Sequence, residues 1–236
     1  MTRSATERVG VVDSLELVRR DVTECRACPR LVRWREQVAR VKRRAYLDWD
    51  YWGRPVAGFG DPSARMAIVG LAPAAHGANR TGRIFTGDGA GDFLYAGLHR
   101  AGFANQARST DRDDGLRLTG VFILSAARCA PPRNRPSPPE LRRCASFLDR
   151  ELALLDIRVV LALGAIGWEA VLRHFARRGI TLPRPLPRFA HAAELRLAGA
   201  PPLLGCYHVS RQNTQTGKLT PAMFDAVLTR ARELLG

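Results

Sequence analysis

Short apolar runs alternate with amphipathic stretches along most of this 236-residue chain. The runs are rich in Val, Ile and Leu, which is typical of strands buried on both faces of a parallel sheet. They occupy residues 66–69, 121–124, 159–163 and 203–207. The amphipathic stretches predict helices at 92–101, 137–155 and 165–175, and from Thr220 onwards. This alternation predicts a three-layer α/β/α sandwich.

Two parts of the chain have weaker patterns. Residues 1–60 are expected to form an N-terminal helical segment, whose arginine and aromatic side chains suit either a core or a contact surface. Residues 183–202 include five prolines and are expected to run over the surface. Because no internal repeat or long linker interrupts the pattern, we expect a single domain over residues 1–236.

The charge of the chain suggests a polyanionic partner. The formal net charge is +15, and lysine occurs only at positions 42 and 218, so arginine supplies almost all of it. The planar guanidinium suits contacts to phosphates and bases, so we favour nucleic-acid binding as the reason for the excess of arginine. The alternative explanation is a genomic base composition that favours arginine codons. The opening residues MTRSATERVG contain no apolar signal region, and no stretch approaches the ~20 apolar residues of a membrane helix. We expect a cytoplasmic, nucleoid-associated monomer.

The candidate site lies in the loops that follow the predicted strands. Ligands of open parallel sheets bind beyond the carboxyl ends of the strands. Polar and glycine residues are concentrated in four such loops, at 71–88, 125–135, 164–167 and 208–220.

The five cysteines suggest a metal site. Cys25 and Cys28 form a close pair on which Cys129 and Cys144 can converge, whereas Cys206 lies in an apolar strand and is expected to be buried. Four thiols in a cytosolic protein favour zinc or an iron–sulfur cluster, and the spacing does not choose between them. Two redox-inert pairs, or a CxxC motif with thioredoxin-like chemistry, are the alternatives.

Two long motifs identify a family. GLAPAAHGANRTGRIFTGD at 70–88 and HVSRQNTQTGKLT at 208–220, together with four of the cysteines, resemble family 5 (type B) of the uracil-DNA glycosylase superfamily over nearly the whole chain. The resemblance implies a four-stranded parallel sheet between helices and the excision of uracil, hypoxanthine and xanthine from DNA. It also implies a 4Fe–4S cluster held by Cys25, Cys28, Cys129 and Cys144.

The resemblance also assigns catalytic roles. A glycosylase flips the nucleotide into a pocket and stabilises the departing base. Asp88 matches a catalytic aspartate, although a helix N-cap would also explain it, and Asn134 matches a second catalytic residue, although a turn asparagine is the alternative. His208 would donate a hydrogen bond to the base O2. Related branches carry a polar or acidic residue after the first glycine of the motif, but here Leu71 and Ala72 follow.

The remaining candidates hold the base or the DNA. Gly70 and Ala72 are expected to line the base pocket, and Phe85 to stack on the flipped base unless it is ordinary core. The DNA-binding residues implied by the second motif are Ser210, Arg211, Gln212, Asn213 and Thr216. Three polar residues of the first motif either tie the loop together or touch phosphate: Asn79, Arg80 and Arg83. His76 suits a structural or a catalytic role.

Three other functions are weighed against this one. A cluster-bearing binding module without chemistry would not need Asp88 and His208 together. A nucleotide-phosphate enzyme would require a GK[ST] ending that the glycine-rich loop lacks. A lyase would need an amine nucleophile, and neither Lys42 nor Lys218 lies in a suitable context.

Overall fold

The computed structural model of the chain describes residues 12–236. The opening residues MTRSATERVG, in which the sequence shows no apolar signal region, therefore lie outside the described part. Eight α-helices occupy this part: α1 Leu15–Glu24, α2 Pro29–Val41, α3 Ala78–Thr81, α4 Gly89–Arg100, α5 Pro138–Leu154, α6 Ala165–Arg177, α7 Arg211–Gln215 and α8 Pro221–Leu235. None of the helices within residues 12–236 is both long and apolar enough to cross a membrane.

The central sheet has six strands in the order β1-β3-β2-β4-β6-β5. The strands are β1 Phe59–Gly60, β2 Met66–Gly70, β3 Val121–Ser125, β4 Val159–Leu163, β5 Glu194–Leu195 and β6 Leu203–Cys206. The four predicted strands are all present and mutually parallel. The expected number of four is wrong, because β1 and β5 add short antiparallel edges. The sequence does not indicate β1 or β5, because two residues are too few to form an apolar run. β5 also lies in the proline-rich stretch.

Helices cover both faces of the sheet, as the alternating pattern predicts. Ile68, Ile123 and Leu161 share one core with apolar residues of α4 and α8. Val69 and Leu124 belong to a second core with residues of α5 and α6. Successive side chains of a strand point to opposite faces of the sheet, and both faces are covered by helices. Every residue of such a strand is therefore buried, which explains the fully apolar runs.

The carboxyl edge of the sheet gathers the predicted loops. The backbone N–H groups of Ala126 and Ala127 donate to the carbonyls of Gly70 and Leu71, both at 3.0 Å, so the loops after β2 and β3 run together. On the other side of β2, the Gly164 N–H donates to the Cys206 carbonyl at 2.8 Å. The chain passes from β3 to β4 across β2, and this reversal of strand order opens the crevice in which ligands bind.

Candidate active site

Phe85 and His208 meet at this edge from two different loops. Their ring centroids lie 6.1 Å apart, with an angle of 39° between the planes. Phe85 has a φ of 51°, which is a strained backbone conformation for a bulky residue and is concentrated at functional sites. Its ring lies over Gly70, where an added Cβ would approach Phe85 Cζ to 2.8 Å. The glycine at the end of β2 therefore makes room for the ring.

His208 is a neutral hydrogen-bonding group. Burial lowers its pKa to about 4, so the imidazole carries one N–H and no charge at neutral pH. Its backbone carbonyl accepts a hydrogen bond from Asn213 Nδ2 at 2.8 Å, which fixes the start of the second motif. Gly164 lies beside the histidine, and a Cβ there would stand 3.2 Å from His208 Cβ.

Asp88 ends the first motif and begins α4. Its Oδ1 accepts hydrogen bonds from the N–H groups of Ala90 and Gly91 at 3.0 and 3.1 Å, so the helix starts earlier than the sequence suggests. Its Oδ2 lies over Gly77, where an added Cβ would stand only 1.9 Å away. Burial is the largest influence on this carboxyl group and raises its pKa. Oδ1 therefore caps the helix, whereas Oδ2 takes no part in the capping hydrogen bonds.

Arg83 ties the first motif to a neighbouring loop. It is 4% exposed and donates to Thr86 Oγ1 at 2.9 Å, Ser109 Oγ at 3.1 Å and Asp114 Oδ2 at 2.7 Å. With its donors used inside the protein, Arg83 has a structural role in this conformation. The sequence alone does not separate this role from a phosphate contact.

Arg80 has a comparable bracing role. Its Nε donates to the His76 carbonyl at 2.8 Å and its Nη2 to the Gly87 carbonyl at 2.7 Å, so it closes the loop directly before Asp88. Its guanidinium lies 4.0 Å from the ring centroid of Tyr46 and 3.9 Å from that of Trp49. These contacts give part of the aromatic N-terminal segment a function that its sequence pattern leaves open.

The second motif forms α7, whose N-cap is Ser210. Asn213 is occupied by the His208 carbonyl, and Thr216 Oγ1 donates to the Gln212 carbonyl at 2.6 Å. Arg211 is exposed, and its Cγ lies 3.0 Å from where a Cβ of Gly89 would stand. The structure thus brings the exposed start of α7 against the residue that follows Asp88.

Two other candidates lie on exposed or partly exposed backbone. Asn134 ends the 3-10 turn Pro132–Asn134, and both it and Arg133 have a φ of 54°. Consecutive non-glycine residues in this region are costly, which is compatible with a functional constraint. Ala72 is partly exposed just beyond the paired backbone of Leu71. Their expected roles stay predictions.

The four candidate cysteines share one neighbourhood. Cys28 and Cys129 belong to one apolar cluster with Leu31. The pKa of Cys129 is raised to about 12, chiefly by burial and to a smaller extent by the nearby thiols of Cys144 and Cys25, while Arg35 opposes the rise. Within residues 12–236 no group of three or more His, Cys, Asp or Glu side chains is placed to hold a single metal ion. A four-iron cluster holds its cysteine sulfurs farther apart than a single metal ion does, so the expected cluster stays a prediction.

An arginine beside these thiols also suits a sulfur-rich group. Arg35 Nη1 donates to Cys129 Sγ at 3.0 Å, and Arg35 Nε is buried without a hydrogen-bond partner among the described residues. Cys206 lies apart in the core of β6, fully buried, as expected.

Comparison with known proteins identifies the family of the chain. A family model described as the uracil DNA glycosylase superfamily matches residues 57–232. A type-5 uracil-DNA glycosylase of Thermus thermophilus is 54% identical over 216 residues, covering 91% of this chain and 95% of that protein. Similar proteins of the same name occur in Mycobacterium leprae, at 50% identity over 96% of this chain and 98% of that protein, and in Pyrobaculum aerophilum, at 43% over 89% and 88%. The chain therefore belongs to the uracil-DNA glycosylase superfamily, in its type-5 branch.

Proposed function

We propose that the chain is a monofunctional DNA glycosylase that hydrolyses the bond between uracil and its deoxyribose. The observation that carries the proposal is the approach of a neutral His208 to Phe85 beside the loop that ends in Asp88. A flipped base needs a flat apolar surface and a hydrogen-bond donor at its edge, and these two rings supply both. The relatives of the same branch are named for this activity.

The chemistry divides between the two ends of the scissile bond. The base departs as an anion, and the N–H of His208 would stabilise charge on its O2 without a proton transfer. Phe85 would stack on the base while the backbone of Gly70 and Ala72 borders it. The sugar becomes cation-like, and the carboxylate of Asp88 would stabilise it or orient the attacking water. Asn134 is the second candidate for holding that water.

The second motif would hold the DNA on either side of the flipped nucleotide. Exposed and partly exposed donors at the start of α7 suit phosphate contacts, and the net charge of +15 favours DNA as the partner. The residues proposed for this role are Ser210, Arg211, Gln212, Asn213 and Thr216. Association with nucleoid DNA would follow from it. The same neutral donor could serve hypoxanthine and xanthine, which also leave as anions.

The cysteine set would hold a 4Fe–4S cluster through Cys25, Cys28, Cys129 and Cys144. Such a cluster, when bound, would supply a cross-link between the N-terminal helices and the loop after β3, which are distant in sequence. Anaerobically purified protein should be brown and contain iron and acid-labile sulfide in near-equal amounts. Cys25→Ser should lose the colour and folding yield, whereas Cys206→Ser should keep both. Zinc in place of iron would contradict the assignment.

The activity is tested on an end-labelled duplex with one uracil. Incubation with purified protein followed by alkali should cut the labelled strand at the uracil position, and an otherwise identical thymine duplex should stay intact. Strand cleavage before alkali would indicate a lyase. Tight binding of the uracil duplex with no alkali-sensitive site would instead favour the non-catalytic binding module.

A further inference from the structure

Arg35 is a buried arginine in an unusual setting. It lies on α2, which begins directly after Cys28, and only 2% of the residue is exposed. Its Nη1 donates to Cys129 Sγ at 3.0 Å and to the Cys25 carbonyl at 3.3 Å. One side chain therefore contacts both halves of the cysteine set.

Among the described residues, the charge of Arg35 meets a carboxylate only in one long salt bridge to a partly exposed side chain. That partner is Glu36, at 3.8 Å from Nη2. A buried guanidinium is costly unless negative charge lies beside it. Thiolates that hold a cluster would supply that charge, and the unpartnered Nε would find sulfur to donate to.

The same residue contacts the active-site loop through its backbone. The Arg35 carbonyl accepts a hydrogen bond from Nδ2 of Asn79 at 3.2 Å, and Asn79 is fully buried in α3. Asn79 in turn holds the first motif, since its N–H donates to the Ala74 carbonyl at 3.0 Å and its carbonyl accepts from the Gly53 N–H at 3.0 Å. A shift of α2 at Arg35 would therefore move the loop that carries Phe85 and Asp88.

We propose that Arg35 is a positioning residue that couples the loaded cysteine centre to the placement of the 70–88 loop, through α2 and Asn79. The inference rests on the proposed cluster and concerns residues that take no part in the chemical step. The side chain of Arg35 contacts a cysteine sulfur, and its backbone carbonyl binds Asn79 of the loop. Losing either contact should loosen the loop, but only the loss of the Arg35 side chain should alter the cluster.

Two variants separate the two ends of this path. Arg35→Gln removes the cation and replaces the guanidinium beside the sulfur with a shorter neutral amide, so the cluster potential should become more negative and amide hydrogen exchange in residues 74–88 should rise. Asn79→Ala should raise the same exchange without changing the potential. Single-turnover uracil excision should fall in both, by up to about 10²-fold, because the loop is misplaced. Arg33→Gln, an exposed change on the same helix, should leave all three measurements unchanged.

Arg35→Lys guards against a variant that does not fold. It keeps the charge without the guanidinium fork, so the potential should return towards the parental value while exchange stays raised. The inference is overturned if folded Arg35→Gln or Arg35→Lys protein matches Arg33→Gln in potential and exchange, or if Asn79→Ala leaves exchange unchanged. A parent protein that excises uracil but contains no iron would overturn the cluster and this inference together, while leaving the proposed activity intact.

Discussion

Phe85 faces His208 across a gap of 6.1 Å between ring centroids, although the two belong to different motifs. Glycines clear the space behind both rings, since a side chain at Gly70 would strike Phe85 and one at Gly164 would press on His208. In the proposed function, the pair would form a preorganised wall and donor for a flat base with a polar edge. Preorganised donors are effective because they need no reorganisation as charge develops.

Replacing His208 by Ala should slow uracil excision by about 10² to 10³-fold in single turnover, the usual loss for one transition-state donor. Affinity for the uracil duplex should change little, because the hydrogen bond strengthens mainly as the base departs. His99→Ala, at an exposed histidine on α4, is the matched control and should keep the parental rate. Equal rates for the two variants would remove His208 from the mechanism.

The neutral state of His208 leads to a prediction for how stability and excision rate depend on pH. Burial lowers its pKa from an ordinary 6.5 to about 4, so between these values the unfolded chain binds more protons than the folded one. His208 therefore lowers stability as pH falls from 6.5 to 4, and His208→Gln should reduce that loss in thermal melts. The excision rate of the parent protein should show no change near pH 6.5 that can be attributed to His208, that is, no change that is lost in His208→Gln. Such a change would mean that a charged imidazole takes part.

Asp88→Asn separates the N-cap from the catalytic role. An asparagine keeps an oxygen for the N–H groups of Ala90 and Gly91 but removes the buried charge, whose burial raises the pKa of Asp88. A raised pKa means that stability falls as pH rises from 3.8 through the folded-state value. At neutral pH the variant should therefore melt at or above the parental Tm while excision drops by about 10²-fold or more.

Asp92→Asn is the control for this change, because Asp92 is exposed in the first turn of the same helix. It should retain the excision rate. If Asp88→Asn also cleaves at the parental rate, Asp88 is only an N-cap, and Asn134 becomes the better candidate for holding the water.

The sequence predicts the layers of this fold better than its edges. Fully apolar runs specify β2, β3, β4 and β6 because both faces of these strands are buried, and the Ser137–Glu140 capping box marks the start of α5. The edge strands β1 and β5 are two residues long and depend on tertiary pairing, which no local pattern records.

The candidate site shows the same division. Its two motifs and their histidine, aspartate and glycines can be read from the sequence, because loop composition is local. The supports cannot, since Arg35, Tyr46 and Trp49 reach the first motif only through packing of the N-terminal helices and turn. Residue type alone likewise leaves Arg83 open between phosphate and protein partners, and only its buried neighbours identify Asp114.

Arg83→Met should lower the stability of the protein, without a direct effect on the excision step. The change breaks the buried pair with Asp114 and leaves that carboxylate with backbone N–H donors but no cation, which costs up to about 3–5 kcal/mol. Chemical denaturation should show this loss as a lower midpoint. Arg112→Met, at an exposed arginine whose carbonyl accepts from Arg83, should cost under about 1 kcal/mol. Comparable losses in the two variants would contradict the bracing role of Arg83.

Arg211→Ala should weaken DNA binding in a salt-dependent way. Each phosphate that is neutralised contributes about 0.9 to the slope of log K against log salt on duplex DNA, so the slope should fall by about one. Arg178→Ala, at an exposed arginine where α6 ends far from the carboxyl edge, should keep the parental slope. An unchanged slope for Arg211→Ala would place this side chain off the DNA.

A monofunctional glycosylase releases an intact base and leaves the strand uncut, and both products can be measured together. The most direct measurement is mass spectrometry of both products after a single turnover on a duplex with one uracil. We expect one free uracil for each abasic site, with a continuous sugar–phosphate backbone and a much lower yield for His208→Ala, as the proposed mechanism requires. Bound duplex with its uracil still attached, or a strand broken at the site before any alkali, would contradict it.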